Sequence, residues 1–276
     1  MSNEKQITYW NQIAGPKWVK LGDAMDARLA AINDLLLQTC AAQPGETILD
    51  IGCGTGVTAL PLANAVGPAG HVTGIDVSAP MLAVARTRCA AAVNISLLQA
   101  DAQTHDFGAP QFDLLASRFG VMFFTDPYAA FRNLRAALAR GGRLVFACWA
   151  GIAGNPHWQI PFDRAVAELG PPEPKHPRAP GPMAFSDPAY VSDILAQAGF
   201  DDIVVTATPV FLIGETIAEE ARVACLMGPA GALLDEKQAS DELRAKLTAA
   251  VAAAFDPFDT PAGPRLPATI HLVQAR

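Results

Sequence analysis

What this chain lacks narrows it early. Its five cysteines, Cys40, Cys53, Cys89, Cys148 and Cys225, are scattered, odd in number and free of any C-x-x-C spacing, so neither a disulfide frame nor a cysteine-based zinc site is signalled. No metal-ligand cluster is evident. No apolar run reaches the ~18 residues that would mark a membrane span. The polar start, Met1-Ser2-Asn3-Glu4-Lys5-Gln6, has no apolar core and small-residue cleavage site behind it, so no export signal is expected and a reducing cytoplasm is the expected location. Basic residues number 20 against 27 acidic ones, a net charge of −7 without any basic run. That balance works against a nucleic-acid partner, whose phosphates are bound by releasing counterions to lysine and arginine.

What remains is a chain of 276 residues that is 51% hydrophobic, long enough for one large domain and an elaboration. Short aliphatic or β-branched runs at 47–52, 71–76, 95–100, 112–117 and 143–149 read as strands. Helical patterns at 57–66, 80–92 and 127–140 separate them. The alternation predicts an α/β fold with right-handed crossovers and a mostly parallel sheet, its ligand at the carboxyl ends of the strands. Residues 1–45 predict a helical cap, with 24–41 as one apolar-striped helix ending at Pro44-Gly45. After the 46–149 core, residues 150–185 predict an insert: a helix over 157–169, then a loop or lid with Pro171, Pro172, Pro174, Pro177, Pro180 and Pro182. The 186–276 remainder predicts a helix over 187–198 capped by Ser186, a strand over 203–213, helices near 215–227 and 236–255, and a last strand over 268–274.

The chemistry concentrates at Leu49-Asp50-Ile51-Gly52-Cys53-Gly54-Thr55-Gly56, a strand running into a glycine-rich turn, followed by a second acidic strand end at Gly74-Ile75-Asp76. Glycines let backbone approach a ligand closely, and a carboxylate about 20 residues on can hold a ribose diol. The pair describes a nucleoside site. A dinucleotide fingerprint requires a third glycine where Val57 stands, which disfavours a nicotinamide oxidoreductase. Asp50 puts negative charge beside the turn, which suits a ligand with a cationic amino-acid end rather than a pyrophosphate.

The D-x-G-x-G-x-G run with Asp76 resembles the class I S-adenosylmethionine-dependent methyltransferases, and the likeness extends over about 47–213. Asp101-Ala102 matches the adenine position, Arg140-Gly141-Gly142-Arg143-Leu144-Val145 the turn before strand five with Arg140 replacing proline, and Leu195-Ala196-Gln197-Ala198-Gly199-Phe200 the segment before strand six. The family fold is a Rossmann-like, seven-stranded, mostly parallel sheet with helices on both faces. Ser117-Arg118-Phe119-Gly120-Val121-Met122-Phe123-Phe124 is similar in part to the ubiquinone/menaquinone-biosynthesis type of small-molecule enzyme, with Val121-Met122-Phe123 where that group has Leu-Arg-Asn.

The resemblance implies S-adenosyl-L-methionine as cofactor. It is expected on Gly52, Gly54 and Gly56, with Asp76 on the ribose hydroxyls, Val77 and Met81 against the nucleoside, and Asp101 and the Ala102 amide on adenine. Asp50 and the Ser117 or Arg118 carbonyl are expected near the ammonium. Tyr9, Trp10 and Trp18 resemble a leading segment that covers the cofactor, Trp18 on its side and Tyr9 and Trp10 toward the acceptor. Phe119, Met122, Trp149 and Trp158 are candidates for the acceptor wall, with plain core packing as the competing reading. His157 is the candidate general base for a phenol or enol acceptor; His105, His176 and His271 read as surface or packing residues and His71 lies at the wrong strand end. Thr125-Asp126-Pro127-Tyr128 is read as a helix start, Asp126 capping and Pro127 first. The expected activity is methyl transfer to the O, N or C of a small, largely apolar acceptor, with no nucleic-acid partner, no membrane span and room for a homodimer. The alternatives are a cofactor-binding protein that catalyses another reaction, such as a cyclisation, and a noncatalytic cofactor-binding subunit.

Overall fold

The structure, a computed structural model, describes residues 3–174 and 176–276, so Met1, Ser2 and Lys175 of the predicted cap and insert lie outside the described residues. A leader of α1 (Glu4–Tyr9), a π-helical turn (Trp10–Ala14), α2 (Gly15–Arg28) and α3 (Ala30–Cys40) precedes β1 (Thr47–Ile51). There follow α4 (Ala59–Val66), β2 (His71–Asp76), α5 (Ala79–Arg88), β3 (Ile95–Gln99), β4 (Phe112–Arg118), α6 (Pro127–Ala137) and β5 (Leu138–Trp149). The rest of the chain contains α7 (Pro156–Leu169), α8 (Pro188–Gln197), β6 (Val204–Ile213), α9 (Ile217–Leu226), α10 (Gly228–Glu236), α11 (Asp241–Phe255) and β7 (Arg265–Ala275).

The seven strands form one sheet in the order β3-β2-β1-β4-β5-β7-β6. The first five are parallel, and β7 inserts antiparallel to both β5 and β6. The order reverses between β1 and β4. That switch point opens a crevice at the carboxyl ends of the strands, because the crossovers leaving β1 and β4 depart on opposite faces. Ile48, Leu49, Leu114, Leu115, Leu144 and Phe146 are fully enclosed in the centre of the sheet. No helix among the described residues is long and apolar enough to cross a membrane.

Several sequence boundaries shift for local reasons. The predicted helix over 24–41 is two helices that part at Leu29. Asp187, rather than Ser186, caps α8, its carboxylate accepting from the Ala189 amide at 2.9 Å. The segment expected as one helix over 236–255 is α11 alone, capped by Ser240, while α10 begins at Gly228-Pro229, where proline opens a helix because the first turn needs no amide donor. Asp126 caps α6 by accepting from the Ala129 amide at 3.0 Å, with Pro127 first in the helix.

Candidate active site

One cavity of about 980 Å³ opens at the switch point, at the upper end of the roughly 300–1,000 Å³ usual for small-molecule sites. Its floor is the turn after β1. Gly52 holds φ +65°, and a Cβ there would lie 2.7 Å from the Gly120 Cα; Gly54 holds φ +54° and faces the Met81 methyl. Both positions exclude side chains, so backbone lines the floor. Gly56 lies elsewhere: it packs under α5 against Ala85 and Cys89 and is not part of the wall.

Asp76 ends β2 at that floor. Its two carboxylate oxygens are each held by a backbone amide, Gly54 at 2.8 Å and Ser78 at 2.8 Å, so its orientation is set before any ligand arrives. Burial raises its pKa, opposed by those amides. Asp101 follows β3 and also lines the cavity with Ala102 and Val77. It accepts from the Gln103 amide and from the Asn3 side chain at 3.2 Å, while Asn3 in turn accepts from Thr125 at 2.6 Å. Asp50 differs from both. It is 1% exposed, lies beneath the turn rather than in the cavity wall, and neither carboxylate oxygen has a hydrogen-bond partner. Burial pushes its pKa to about 7, with Arg118 pulling it down and Asp76 pushing it further up.

The cap closes over this floor through Asn11. Its amide donates to the Val77 carbonyl at 2.9 Å, and its oxygen accepts from the Ala79 amide at 2.9 Å. Ser78, which stands at the N-cap of α5, instead donates to the Trp10 carbonyl at 2.9 Å. Tyr9, Trp10 and Trp18 all line the cavity, Trp10 edge-on to Phe123 with ring centres 4.8 Å apart.

The outer wall is aromatic. Phe119 and Trp149 stack at 4.4 Å with planes 4° apart, and Trp158 leans on Trp149 at 4.6 Å. Met122 completes this side, its sulfur accepting from the Trp149 amide. Two expectations fail here. Ser117 is fully buried and outside the wall, its hydroxyl donating to the Ile51 carbonyl at 2.7 Å and accepting from the Gly120 amide; it ties the two loops together. His157 is also fully buried and outside the wall, its ring packed on Trp149 and Trp158. Burial holds the imidazole pKa well below its ordinary value, so it is a neutral core residue that reaches no acceptor.

Other wall residues carried no sequence signal. Arg28 from α2 enters the wall with its Nε donating to the Glu220 carboxylate of α9 at 2.7 Å. Val223 of α9, Met227 at the junction and Leu233 of α10 add an apolar side, and the Pro171–Pro174 stretch covers it.

This sheet and crevice are the Rossmann-like fold of the class I S-adenosylmethionine-dependent methyltransferases. Residues 48–142 match the family described as "Methyltransferase domain", and the chain carries that domain. It is 40% identical over 151 residues to the aklanonic acid methyltransferase DauC of Streptomyces sp. (strain C5), covering 52% of this chain and 66% of that protein. It is 34% identical over 145 residues to the demethylmenaquinone methyltransferase of Staphylococcus aureus (strain JH9), covering 52% of this chain and 60% of the relative. The chain thus spans only about two thirds or less of the curated relatives it matches. A SAM-dependent methyltransferase from Aquifex aeolicus shares the fold, with a TM-score of 0.52 at 20% identity over 73% of this chain and 94% of that one.

Proposed function

We propose that the protein transfers a methyl group from S-adenosyl-L-methionine to a small, largely apolar acceptor in the cytoplasm. The observation that carries this reading is one cavity with two unlike halves: a glycine floor flanked by Asp76 and Asp101, and an aromatic wall of Phe119, Trp149 and Trp158. Five buried, unpaired cysteines suit a reducing compartment. The relatives named for aklanonic acid and demethylmenaquinone support an organic acid or a quinone precursor as the acceptor class.

The residues fit the cofactor. Asp76 would accept from the ribose hydroxyls, Asp101 and Ala102 would meet the adenine edge, Val77 and Met81 would pack on the nucleoside, and Gly52 and Gly54 would let backbone approach. Asp50, a buried carboxylate without a partner beneath the turn, would supply negative charge toward an ammonium there once it gives up its proton, a loss that a bound cation favours. When bound, S-adenosylmethionine supplies the electrophilic methyl. The chain's own part is to align and to exclude water: cap residues 1–45 and insert 150–185 act as covers, and the aromatic wall holds the acceptor face against the floor. With His157 outside the cavity, the histidine that lines it among the described residues is His176 of the insert; an acceptor that must lose a proton would meet that imidazole, and one already ionised or neutral with a lone pair needs no base.

Calorimetry with S-adenosylmethionine, S-adenosylhomocysteine and NAD tests the reading. The first two bind and NAD does not; NAD binding alone would overturn the assignment. The Asp76→Ala variant loses about 10- to 100-fold in affinity for S-adenosylhomocysteine, the worth of hydrogen bonds to a charged group, while circular dichroism shows the fold retained. Unchanged affinity would move the ribose site elsewhere.

A further inference from the structure

Among the described residues, Arg28 is the one buried cation of the cavity wall that an opposing helix holds by an ion pair. Its side chain is 7% exposed, against 2% for Glu220, and the Nε to Oε2 distance is 2.7 Å. Glu220 thereby fixes the guanidinium without using its far end. The terminal Nη1 and Nη2 atoms have no hydrogen-bond partner among the described residues, and Arg28 lines the cavity. Four N–H donors are left for a ligand. Arg118 also lines the cavity, yet its Nη1 is buried without a partner and its charge is held by Asp26 of α2 and by Asp50 beneath the floor.

Around Arg28 the wall offers flat apolar surface. Arg28 lines the same cavity as Trp149 and Trp158, and its charge reaches His157, which packs on both indoles. Parallel Phe119 and Trp149 rings end in the cavity, and such π-surfaces favour conjugated partners.

We propose that Arg28 is a specificity-determining residue that seats the carboxylate of a flat, conjugated acceptor, the free edge of its guanidinium meeting the two oxygens while the ligand's rings lie against Phe119, Trp149 and Trp158. This rests on the methyl-transfer reading and refines it to an acidic aromatic acceptor. A planar fork of N–H donors matches a carboxylate in a way that a lysine ammonium does not, and in an apolar chamber an anion without such a partner would be excluded.

The experiment is calorimetry with anthraquinone-2-carboxylate and with anthraquinone-2-carboxamide, the same ring system without the charge, on the full chain saturated with S-adenosylhomocysteine. The wild type prefers the carboxylate by about tenfold or more, the Arg28→Met variant loses that preference while binding the carboxamide as before, and Arg28→Lys keeps part of it. Where Arg28→Met alone fails to fold, leaving Glu220 buried and unpaired, the Arg28→Met/Glu220→Met double variant replaces the whole pair with apolar side chains and reads the same comparison. Equal affinity of the wild type for the two probes overturns the proposal. So does an equal weakening of both in the variant, which would make Arg28 a wall residue only, and so does a failure of both to bind where S-adenosylhomocysteine binds. Failure of S-adenosylhomocysteine to bind, with the carboxylate preference intact, instead overturns the methyl-transfer reading.

Discussion

Asp50 is a carboxylate stored in the wrong medium. With both oxygens unpartnered and its pKa near 7 against an ordinary 3.8, it binds a proton in the folded state over a pH range where the unfolded chain has released it. Its contribution to stability is therefore fully present below pH 3.8 and is lost as pH rises through 7. The difference between 3.8 and about 7 corresponds to up to ~4 kcal/mol over that window. In the ligand-free protein, Asp50→Asn should remove this decline, so that melting temperature plotted against pH is flatter for the variant between pH 4 and pH 8; parallel curves would mean that Asp50 has a partner in solution. Cysteine chemistry is absent at this scale: burial pushes Cys40 to about 12 and raises Cys53 well above its ordinary value, so neither offers a thiolate.

Among the elements, α5 is held from outside. Its own N-cap residue, Ser78, makes no capping bond to it, and the first amide is taken by Asn11 from the leader. Asn11→Ala should cost about 1 kcal/mol, as cap removals do, seen as a lower urea midpoint, and should speed amide exchange over residues 77–82 next to Asp76. A lower midpoint with unchanged exchange there would show that the leader and the ribose-side loop move independently. This contact also shows where sequence reading stops. The glycine turn, Asp76 and Asp101 were legible because each is a local event, a strand end of a recognisable kind in a recognisable order. Asn3, Asn11, Arg28 and the α9–α10 side were not, because their roles depend on partners 66 to 192 residues away. His157 shows the same limit from the other side. Its position after β5 was read correctly, but which way it faces on α7 depends on Trp149 and Trp158 packing against it.

For the whole molecule, the sheet supplies the floor and everything outside the alternating core supplies the cover: leader, insert and α9–α10 converge on one cavity from three directions. Arg28 and Glu220 join two of these covers across 192 residues of chain. The matches to the curated relatives extend over 52% of this chain. The convergence of the covers also gives the molecule an optical property. The chain has four tryptophans, Trp10, Trp18, Trp149 and Trp158, and all four border this one cavity. Its whole indole emission is thus a reporter of cavity occupancy, with Trp10 and Trp18 on the leader side and Trp149 and Trp158 on the aromatic wall. Titrating S-adenosylhomocysteine should change emission in a Trp149→Phe variant much as in the wild type and lose most of the change in Trp18→Phe, while a bound anthraquinone should quench chiefly through Trp149 and Trp158; the opposite pattern would exchange the two halves of the chamber.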